Sequence, residues 1–312
     1  MAEVLSTERL TKRYRNSRAL DEVTFSMPEG AIYGLVGANG AGKTTLLKTL
    51  MNVISPTAGR AQVLGMDSRA IGGKSFERIG YVSENQELPE GMTVGSMLHY
   101  VKVFYPEWDT ELEARLVRQF DLPLDRKLKH LSRGMRMKAA FASSLAYRPK
   151  VLVLDEPFSG LDPLVRDELI AGLLDQAGET TVLLSSHDLA EIESFASHIG
   201  YLEQGRMLFS DEMGVLKERF REVTVTLAAP GAIPVTVPRG WMQMETVNSV
   251  VRFVHSEFAG EASVAEIGAV YEGAEQIVCE SMPLRDIFLA IARAGRDARR
   301  EASGSTGGKA GA

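Results

Sequence analysis

A glycine-rich segment near the N-terminus constrains the fold more than any other feature of the chain. Residues 37–45 read Gly-Ala-Asn-Gly-Ala-Gly-Lys-Thr-Thr, with apolar residues 32–36 before them and Leu46 after them. This order predicts a strand, a loop whose N–H groups converge on a polyphosphate, and the start of a helix. Lys43 can reach the β- and γ-phosphates, and the Thr44 hydroxyl can ligate Mg²⁺. The predicted nucleoside triphosphate site comprises Gly37, Ala38, Asn39, Gly40, Ala41, Gly42, Lys43, Thr44 and Thr45.

Length and composition set few further limits. The 312 residues can form one large domain and a smaller one, and 45% hydrophobic and 24% charged residues are typical of a globular protein. The net charge of −6 argues against a nucleic-acid partner, and the single cysteine, Cys279, fits a reducing compartment. The sequence has neither a signal-peptide core nor a run near the roughly 18 apolar residues of a membrane span. We therefore expect a cytoplasmic protein.

Short apolar runs predict a layered α/β core. Each run is brief and largely uninterrupted by polar residues, as expected of parallel strands buried on both faces by helices. Shorter strands with turns are expected before the glycine-rich segment, over residues 4–27. The runs that follow it cover residues 79–82, 151–154 and 181–184.

Changes of periodicity predict the domain organisation. Between Met92 and Tyr147 the apolar spacing is helical, with stripes that include Phe104 and Phe141. After about Phe220 the chain is rich in β-formers, including Val235–Val237, and a helix follows Pro283. The predicted parts are a nucleotide-binding domain (1–215) with a helical subdomain (about 87–148), an α+β appendage (216–296) and a disordered tail (297–312).

A pair of carboxylates follows one of the buried strands. Four apolar residues, 151–154, lead directly into Asp155 and Glu156. An acid at the end of a buried strand can hold Mg²⁺ directly or through its water, which is the role predicted for Asp155. Glu156 can polarise a water that attacks the γ-phosphate, and a general base of this kind contributes about 10²–10⁴-fold in rate.

Three further short motifs carry polar residues to the ends of predicted elements. Ser132 is a natural helix N-cap, and Gly134 allows close backbone approach to a ligand. Asp162 is placed to cap a helix that begins with Pro163. His187 follows the apolar run that begins at Thr181, at the edge where parallel sheets present residues to ligands.

Together these motifs resemble the nucleotide-binding domain of an ABC (ATP-binding cassette) ATPase. The resemblance covers about residues 4–212. It implies an α/β fold with a P-loop NTPase core, an antiparallel β subdomain and an inserted helical subdomain, to which this chain adds the small C-terminal α+β appendage. The segments that carry it are 37–45, 131–135, 151–157, 159–162 and His187.

The resemblance also implies roles for individual residues. Ser132 and Gly134 are expected to contact the γ-phosphate bound to the phosphate loop of a second cassette, identical or different, so that each ATP lies between two cassettes. Asp162 is expected to link the two sites, and His187 to bond the γ-phosphate and orient the water. Tyr14 matches the aromatic residue that stacks on adenine, an interaction worth on the order of 1–3 kcal/mol.

Two motifs depart from the family pattern. The usual Leu-Ser-Gly-Gly-Gln has Arg133 in place of its first glycine and Met135 in place of its glutamine. Arg133 either adds charge near the nucleotide or packs at the dimer interface. Glu84 stands where the family has a glutamine that senses Mg²⁺, although Gln86 is close enough to confuse the register. The predicted metal ligands are Thr44, Asp155 and Glu84.

A transporter subunit is the function that the resemblance favours. With ATP and Mg²⁺ as cofactors, two cassettes would drive a transmembrane permease on a separate chain, with the protein bound to the inner face of the membrane through it. The permease groove is expected between the Glu84 region and the helices near residues 94–105. Residues 282–289 resemble the terminal helix of ABC-2-type exporter subunits, which favours export.

Two alternatives stay open at the level of sequence. The chain could be a soluble, non-transport ABC ATPase acting on ribosomes or nucleic acid, although it has one phosphate loop and no long coiled coil. The C-terminal appendage could be a regulatory ligand sensor. We prefer a dimerising or packing element, because its sequence has no convergent polar cluster.

Overall fold

The structure is a computed structural model that describes residues 3–229, 233–234 and 236–304, with the side chains of these ranges described up to residue 295. The chain divides into two compact units, Met1–Ser210 and Asp211–Ala312. The break lies close to the predicted end of the nucleotide-binding domain at residue 215.

The strands of the first unit form two sheets. The helices of this unit lie between its strands in chain order. The strands are β1 (Glu3–Tyr14), β2 (Ser17–Pro28), β3 (Ile32–Val36), β4 (Ala58–Val63), β5 (Met66–Asp67), β6 (Ile79–Ser83), β7 (Val151–Asp155), β8 (Thr181–Ser186), β9 (His198–Glu203) and β10 (Arg206–Glu212, which runs into the second unit). The helices are α1 (Lys43–Leu50), α2 (Val94–Lys102), α3 (Thr110–Gln119), α4 (Arg133–Leu145) and α5 (Pro163–Leu174).

The larger sheet has the strand order β10-β9-β3-β8-β7-β6. Strand β3 pairs in parallel with β8 and β9, and β7 pairs in parallel with β6 and β8. Every residue of β3, β7 and β8 is buried, because both faces of the sheet are covered. The continuous apolar runs of the sequence are the consequence, and the predicted parallel α/β core is confirmed.

The smaller sheet is antiparallel, with the order β2-β1-β4-β5. Along β2, buried Val23, Phe25 and Met27 alternate with exposed residues, as expected of strands with one solvent face. These side chains join one apolar core with Tyr33 and Leu35 of the parallel sheet. The two sheets of the first unit are thereby packed together beside the glycine-rich loop.

Three helices lie between β6 and β7 in the chain, within the predicted helical subdomain. Thr93, Asp109 and Ser132 cap α2, α3 and α4, each through a side-chain oxygen that accepts backbone N–H groups of the first turn. The predicted stripe on α4 is buried, with Phe141 fully enclosed. The stripe predicted to include Phe104 is not continuous, because α2 ends at Lys102 and the Phe104 ring is exposed.

In the part of the second unit that the structure describes, there are one four-stranded sheet and three α-helices. Its sheet order is β12-β13-β11-β14, and the neighbouring pairs are antiparallel. The strands are β11 (Arg221–Leu227), β12 (Trp241–Val247), β13 (Val250–His255) and β14 (Ala274–Ser281). The helices are α6 (Met213–Arg219), α7 (Glu261–Val270) and α8 (Leu284–Gly304).

Several details of this unit differ from the expectation. Val235 lies outside the described residues, and the strand before β13 is β12, a less uniformly β-branched segment. Helix α7 was not predicted, since Gly268 and the small residues around it give no clear apolar stripe. Helix α8 follows Pro283, as predicted. It continues to Gly304, past residue 297, where the disordered tail was expected to start. The rest of that tail, residues 305–312, lies outside the described residues.

An aromatic stack forms the centre of this unit. The Trp241 ring lies 4.1 Å from that of Phe253 and 6.2 Å from that of Tyr271, centroid to centroid. All three side chains are buried, together with Val223 and Ile267. Stacked aromatic rings add to the free energy of apolar burial, so this cluster stabilises the unit.

We predict that Phe253→Ala lowers the free energy of unfolding of the second unit by about 3–5 kcal/mol, because it removes a buried ring that packs on Trp241. Urea unfolding followed by Trp241 fluorescence, in a Trp108→Phe background, measures the loss. Val247→Ala on β12 is the control, since its side chain is exposed and a change within about 0.5 kcal/mol is expected. Equal midpoints for the two variants would contradict the assignment of the core.

Candidate nucleotide-binding site

The parallel pairing brings the carboxyl ends of four adjacent strands to one edge of the sheet. Val36 at the end of β3 pairs with Ser186 of β8, and Asp155 at the end of β7 pairs with both Ser185 and Ser83. The glycine-rich loop, the two carboxylates and the residues after β6 and β8 therefore meet there. Ligands of open α/β sheets bind at this edge.

Two glycines of the loop are required by their surroundings. Gly42 has φ of +109°, and a Cβ atom there would lie 2.4 Å from the carbonyl oxygen of Ala19. A Cβ atom on Gly37 would lie 2.3 Å from the carbonyl oxygen of Leu202. Any larger residue would push the loop away from the flanking strands and change its curvature.

The other loop residues form its exposed crest and the first turn of the helix. Ala38, Asn39 and Gly40 are exposed, while Ala41 is buried and its carbonyl accepts a hydrogen bond from Gly205 at 2.8 Å. Helix α1 begins at Lys43 and includes Thr44 and Thr45. The loop therefore presents the N-terminus of an eight-residue helix, which favours anions, at the edge of the sheet.

Lys43, Glu156 and His187 form a continuous polar chain. Lys43 Nζ lies 3.0 Å from Glu156 Oε1 and donates to the carbonyl oxygen of Gly37 at 2.6 Å. The other carboxylate oxygen, Glu156 Oε2, lies 2.8 Å from His187 Nδ1. Lys43 is buried, whereas the His187 side chain is 42% exposed. Of the three residues predicted to be catalytic, Glu156 is thus in direct contact with both of the others, Lys43 and His187.

Glu156 occupies a strained backbone position that is held by a serine. Its φ of +51° lies in the left-handed region, which is costly for a residue with a β-carbon. Its N–H donates to Ser185 Oγ at 2.9 Å, and Ser185 Oγ donates to Asp155 Oδ1 at 2.8 Å. Sequence reasoning missed Ser185. The signal available was a buried polar residue at the end of an apolar strand, two positions before His187.

The pKa values of Glu156 and His187 move in opposite directions. Burial alone would raise the pKa of Glu156, but hydrogen bonds and charge from His187 and Lys43 outweigh it, so this pKa lies below its ordinary value. The hydrogen bond to Glu156 raises the pKa of His187 against a smaller opposing effect of burial. The pair therefore favours a carboxylate beside a protonated imidazole over a wider pH range than either group alone.

Thr44 and Asp155 fit the requirements of a magnesium site. Thr44 Oγ1 donates to Asp155 Oδ1 at 3.1 Å, so a hydroxyl and a carboxylate oxygen face one another beside the loop. Within the described residues, no group of three or more acidic, histidine or cysteine side chains is placed to form a metal site on its own. A pair of protein oxygens suits Mg²⁺, which commonly binds one or two protein ligands together with phosphate oxygens.

Glu84, the third predicted metal ligand, makes other contacts. Its Oε1 atom accepts hydrogen bonds from Arg133 Nη2 at 2.7 Å and from Ser159 Oγ at 3.0 Å. Gln86 folds back on its own loop, where its Oε1 atom accepts from the N–H of Ser83 at 3.3 Å. Of these two residues it is therefore Glu84 whose side chain reaches the neighbouring elements.

The residues expected to face a second cassette lie at helix starts. Ser132 is exposed, and its Oγ atom accepts from the N–H of Met135 at 3.2 Å. Gly134 is buried against Val165 of α5. A Cβ atom at position 134 would lie 3.1 Å from a methyl group of Val165. Asp162 caps α5 through the N–H of Val165.

Tyr14 is the last residue of β1, in the antiparallel sheet. Its ring is 48% exposed, and Lys12 Nζ lies 5.3 Å from the ring centroid. An exposed ring with an adjacent cation offers a free face for stacking. The adenine contact of Tyr14 remains a prediction.

The family model for the ABC transporter matches residues 20–159. The chain is 33% identical over 222 residues to the probable multidrug ABC transporter ATP-binding protein YbhF of Escherichia coli, which covers 69% of this chain and 38% of that protein. It is 34% identical over 220 residues to the daunorubicin/doxorubicin resistance ATP-binding protein DrrA of Streptomyces peucetius, covering 68% and 66% of the two chains. The chain belongs to the ABC transporter ATP-binding family.

The solved structure of an ATP-binding subunit of an ABC transporter shows the same fold as this cassette. It superimposes with a TM-score of 0.63 at 28% identity, over 69% of this chain and 92% of that one. The predicted fold class and family resemblance are thus confirmed. The aligned region spans 38% of YbhF and 66% of DrrA, less than two thirds of the length of either protein.

We predict that Glu156→Gln lowers the pKa of His187 towards its ordinary value, because a neutral amide cannot stabilise the imidazolium as the carboxylate does. Titration of the histidine ring signals by NMR measures the shift, with the four other histidines as internal reference. Glu179→Gln, at an exposed glutamate paired with Arg148, should leave the His187 titration in place. A His187 pKa that stays raised in Glu156→Gln would contradict the contact.

Proposed function

We propose that this cassette binds and hydrolyses ATP as the nucleotide-binding subunit of an ABC exporter whose membrane permease is a separate chain. The observation that carries the proposal is the contact chain from Lys43 through Glu156 to His187, at the edge where the glycine-rich loop and Asp155 also lie. A lysine for phosphate charge, a carboxylate base and an orienting histidine are the groups that phosphoryl transfer to water requires.

Binding of the triphosphate redistributes the contacts of Lys43. The ammonium group that pairs with Glu156 and the carbonyl oxygen of Gly37 can instead pair with the β- and γ-phosphate oxygens, while the loop N–H groups hold the chain of phosphates. Thr44 and Asp155 would hold Mg²⁺, which neutralises charge on the same oxygens. Release from Lys43 leaves the Glu156 carboxylate free to accept a proton.

Hydrolysis then depends on Glu156 and His187. Water attacks the γ-phosphorus, its proton passes to the Glu156 carboxylate, and the bond to the β–γ bridging oxygen breaks so that ADP leaves. The contact with Glu156 raises the pKa of His187 and so favours its positively charged form, and the side chain is exposed enough to reach the γ-phosphate. The strained backbone of Glu156, fixed by Ser185, keeps the base at this position without a conformational search.

A second cassette, identical or different, completes the site in this proposal. Ser132 is exposed at the N-terminus of α4, where its hydroxyl and the first N–H groups of the helix can meet the γ-phosphate held by the partner. Gly134 allows α4 to pack closely against α5 at that end. Asp162 lies at the start of α5, so both helix starts face the same interface.

In this proposal the membrane span belongs to the permease that turns the cycle into transport. None of the helices in the described part of the chain has both the length and the apolar character needed to cross a bilayer. A cavity of about 660 Å³ lies between the loop after β6 and helix α4, and Tyr100, Val103 and Phe104 are exposed near the end of α2. We propose that a permease segment docks in this cavity and holds the cassette at the inner face of the membrane.

The names of the relatives favour export over action on ribosomes or nucleic acid. YbhF is described as a multidrug transporter subunit and DrrA as a drug-resistance protein. The net charge of −6 also gives no broad basic surface for a nucleic-acid partner. Co-purification with a hydrophobic multi-span protein would support the transporter, and co-purification with ribosomes or DNA would contradict it.

We predict that Lys43→Ala reduces ATP hydrolysis by at least about 10²–10³-fold, because it removes a buried cation from developing negative charge. Phosphate release by the purified protein measures the rate, and circular dichroism verifies the fold. Lys48→Ala, one helical turn along α1 and outside the site, is the matched control and should retain turnover. Near-normal turnover of Lys43→Ala would remove the phosphate loop from the proposed mechanism.

We predict that Glu156→Gln retains ATP binding, slows hydrolysis by about 10²–10⁴-fold and accumulates an ATP-bound dimer, because the amide accepts no proton. Equilibrium binding of a fluorescent ATP analogue and sedimentation velocity with and without ATP measure the two effects. Glu179→Gln again serves as the control, since its carboxylate is on the surface beside Arg148. Glu156 is not the base if the variant turns over at the parent rate.

A further inference from the structure

Two of the three positions at which this cassette departs from its family pattern are in contact. Arg133 Nη2 donates to Glu84 Oε1 at 2.7 Å, and Ser159 Oγ donates to the same oxygen at 3.0 Å. A hydrogen bond between charged groups is shorter and about twice as strong as a neutral one. Arginine at 133 and glutamate at 84 therefore form a matched pair, which glycine and glutamine at these positions cannot.

This pair joins three loops that surround the nucleotide site. Glu84 directly follows β6, and its backbone N–H donates to the carbonyl oxygen of Asp155 at 2.8 Å. Arg133 is the first residue of α4, between Ser132 and Gly134. Ser159 lies in the turn between β7 and α5. A shift of any one of these loops must stretch a contact made by Glu84.

The turn after β7 is shaped to receive the guanidinium group. Gly160 has φ of +65°, and a Cβ atom there would lie 3.1 Å from Arg133 Nη1 and 3.4 Å from Cζ. The planar group thus lies against backbone at Gly160 while its Nη2 atom reaches Glu84. Packing on one side and a charged hydrogen bond on the other leave the Arg133 side chain little freedom.

We infer that Arg133 and Glu84 are a positioning pair, which fixes the Ser132–Gly134 turn relative to the loop after β6 and the Ser159–Gly160 turn. The Glu84 carboxylate then binds Arg133 and is not a ligand of Mg²⁺. The effect of the pair on hydrolysis rests on the proposed function, in which Ser132 and Gly134 contact the nucleotide bound to the partner cassette. The Arg133 side chain is 49% exposed and that of Glu84 32% exposed, so solvent screens the pair and its effect on overall stability is small. Its effect is on geometry.

A double-mutant cycle tests the pair through a measurement that needs no hydrolysis. Glu84→Gln, Arg133→Gln and the double variant are compared by hydrogen exchange of the Met135 amide, which Ser132 Oγ caps, in the nucleotide-free protein. Each single variant should speed exchange several-fold, and the double variant should be no faster than the faster single variant. Arg133→Lys keeps the charge and should give a smaller increase.

The same cycle in ATP hydrolysis gives the functional readout. Each single variant should lower kcat about tenfold with the KM for ATP within twofold, and the double variant should match the worse single variant within twofold. The Mg²⁺ concentration for half-maximal rate should be the same in all variants. Arg9 and Glu22, an exposed ion pair of 2.9 Å in the antiparallel sheet, provide the control cycle, whose variants should retain parent kcat.

Two results would overturn the inference. Single effects on exchange that multiply in the double variant would mean that the residues act independently. A higher Mg²⁺ requirement in Glu84→Gln but not in Arg133→Gln would return Glu84 to the metal. A parent protein without ATPase activity would instead contradict the proposed function, and the exchange experiment would still decide on the pair.

Discussion

Parallel pairing of β3, β8, β7 and β6 is the constraint on which the rest of the site depends. Since Val36 is registered with Ser186, and Asp155 with Ser185 and Ser83, four strand ends lie side by side. Each end leads into a different polar segment of the proposed site. A shift of one residue in any pair would turn a buried strand face over and move the polar residue at its end out of the cluster.

Electrostatics at this edge are balanced within the protein before any ligand binds. Glu156 is held between Lys43 and His187, and both contacts lower its pKa against the effect of burial. A buried carboxylate without partners would be protonated more readily and would be a poor base at neutral pH. In the proposed mechanism, the phosphate oxygens compete with Glu156 for these same cations. Triphosphate binding and activation of the proposed base would then be coupled through Lys43.

The sequence predicted those parts of the cassette in which one local pattern determines one structure. Buried parallel strands, the curved loop around Gly37 and Gly42, and the caps of α4 and α5 each depend on residues close together in the chain. What it did not predict depends on distant contacts. Ser185 has a role only because Asp155 and the Glu156 N–H lie beside it across the sheet. In the second unit, helix α7 has a weak apolar stripe and depends on packing around Ile267.

Departures from a family pattern are also better understood in pairs than singly. Taken alone, Arg133 adds a charge beside two residues that are proposed to bind phosphate, and Glu84 adds a negative charge near a metal site. Together, 2.7 Å apart, they neutralise each other and place neither charge in the phosphate or metal site. Substituting one of them by the family residue would leave the other charge without its partner. Arg133 and Glu84 are therefore self-consistent as a pair, and a variant that keeps only one of the two charges is the one expected to disturb the loops around the proposed nucleotide site.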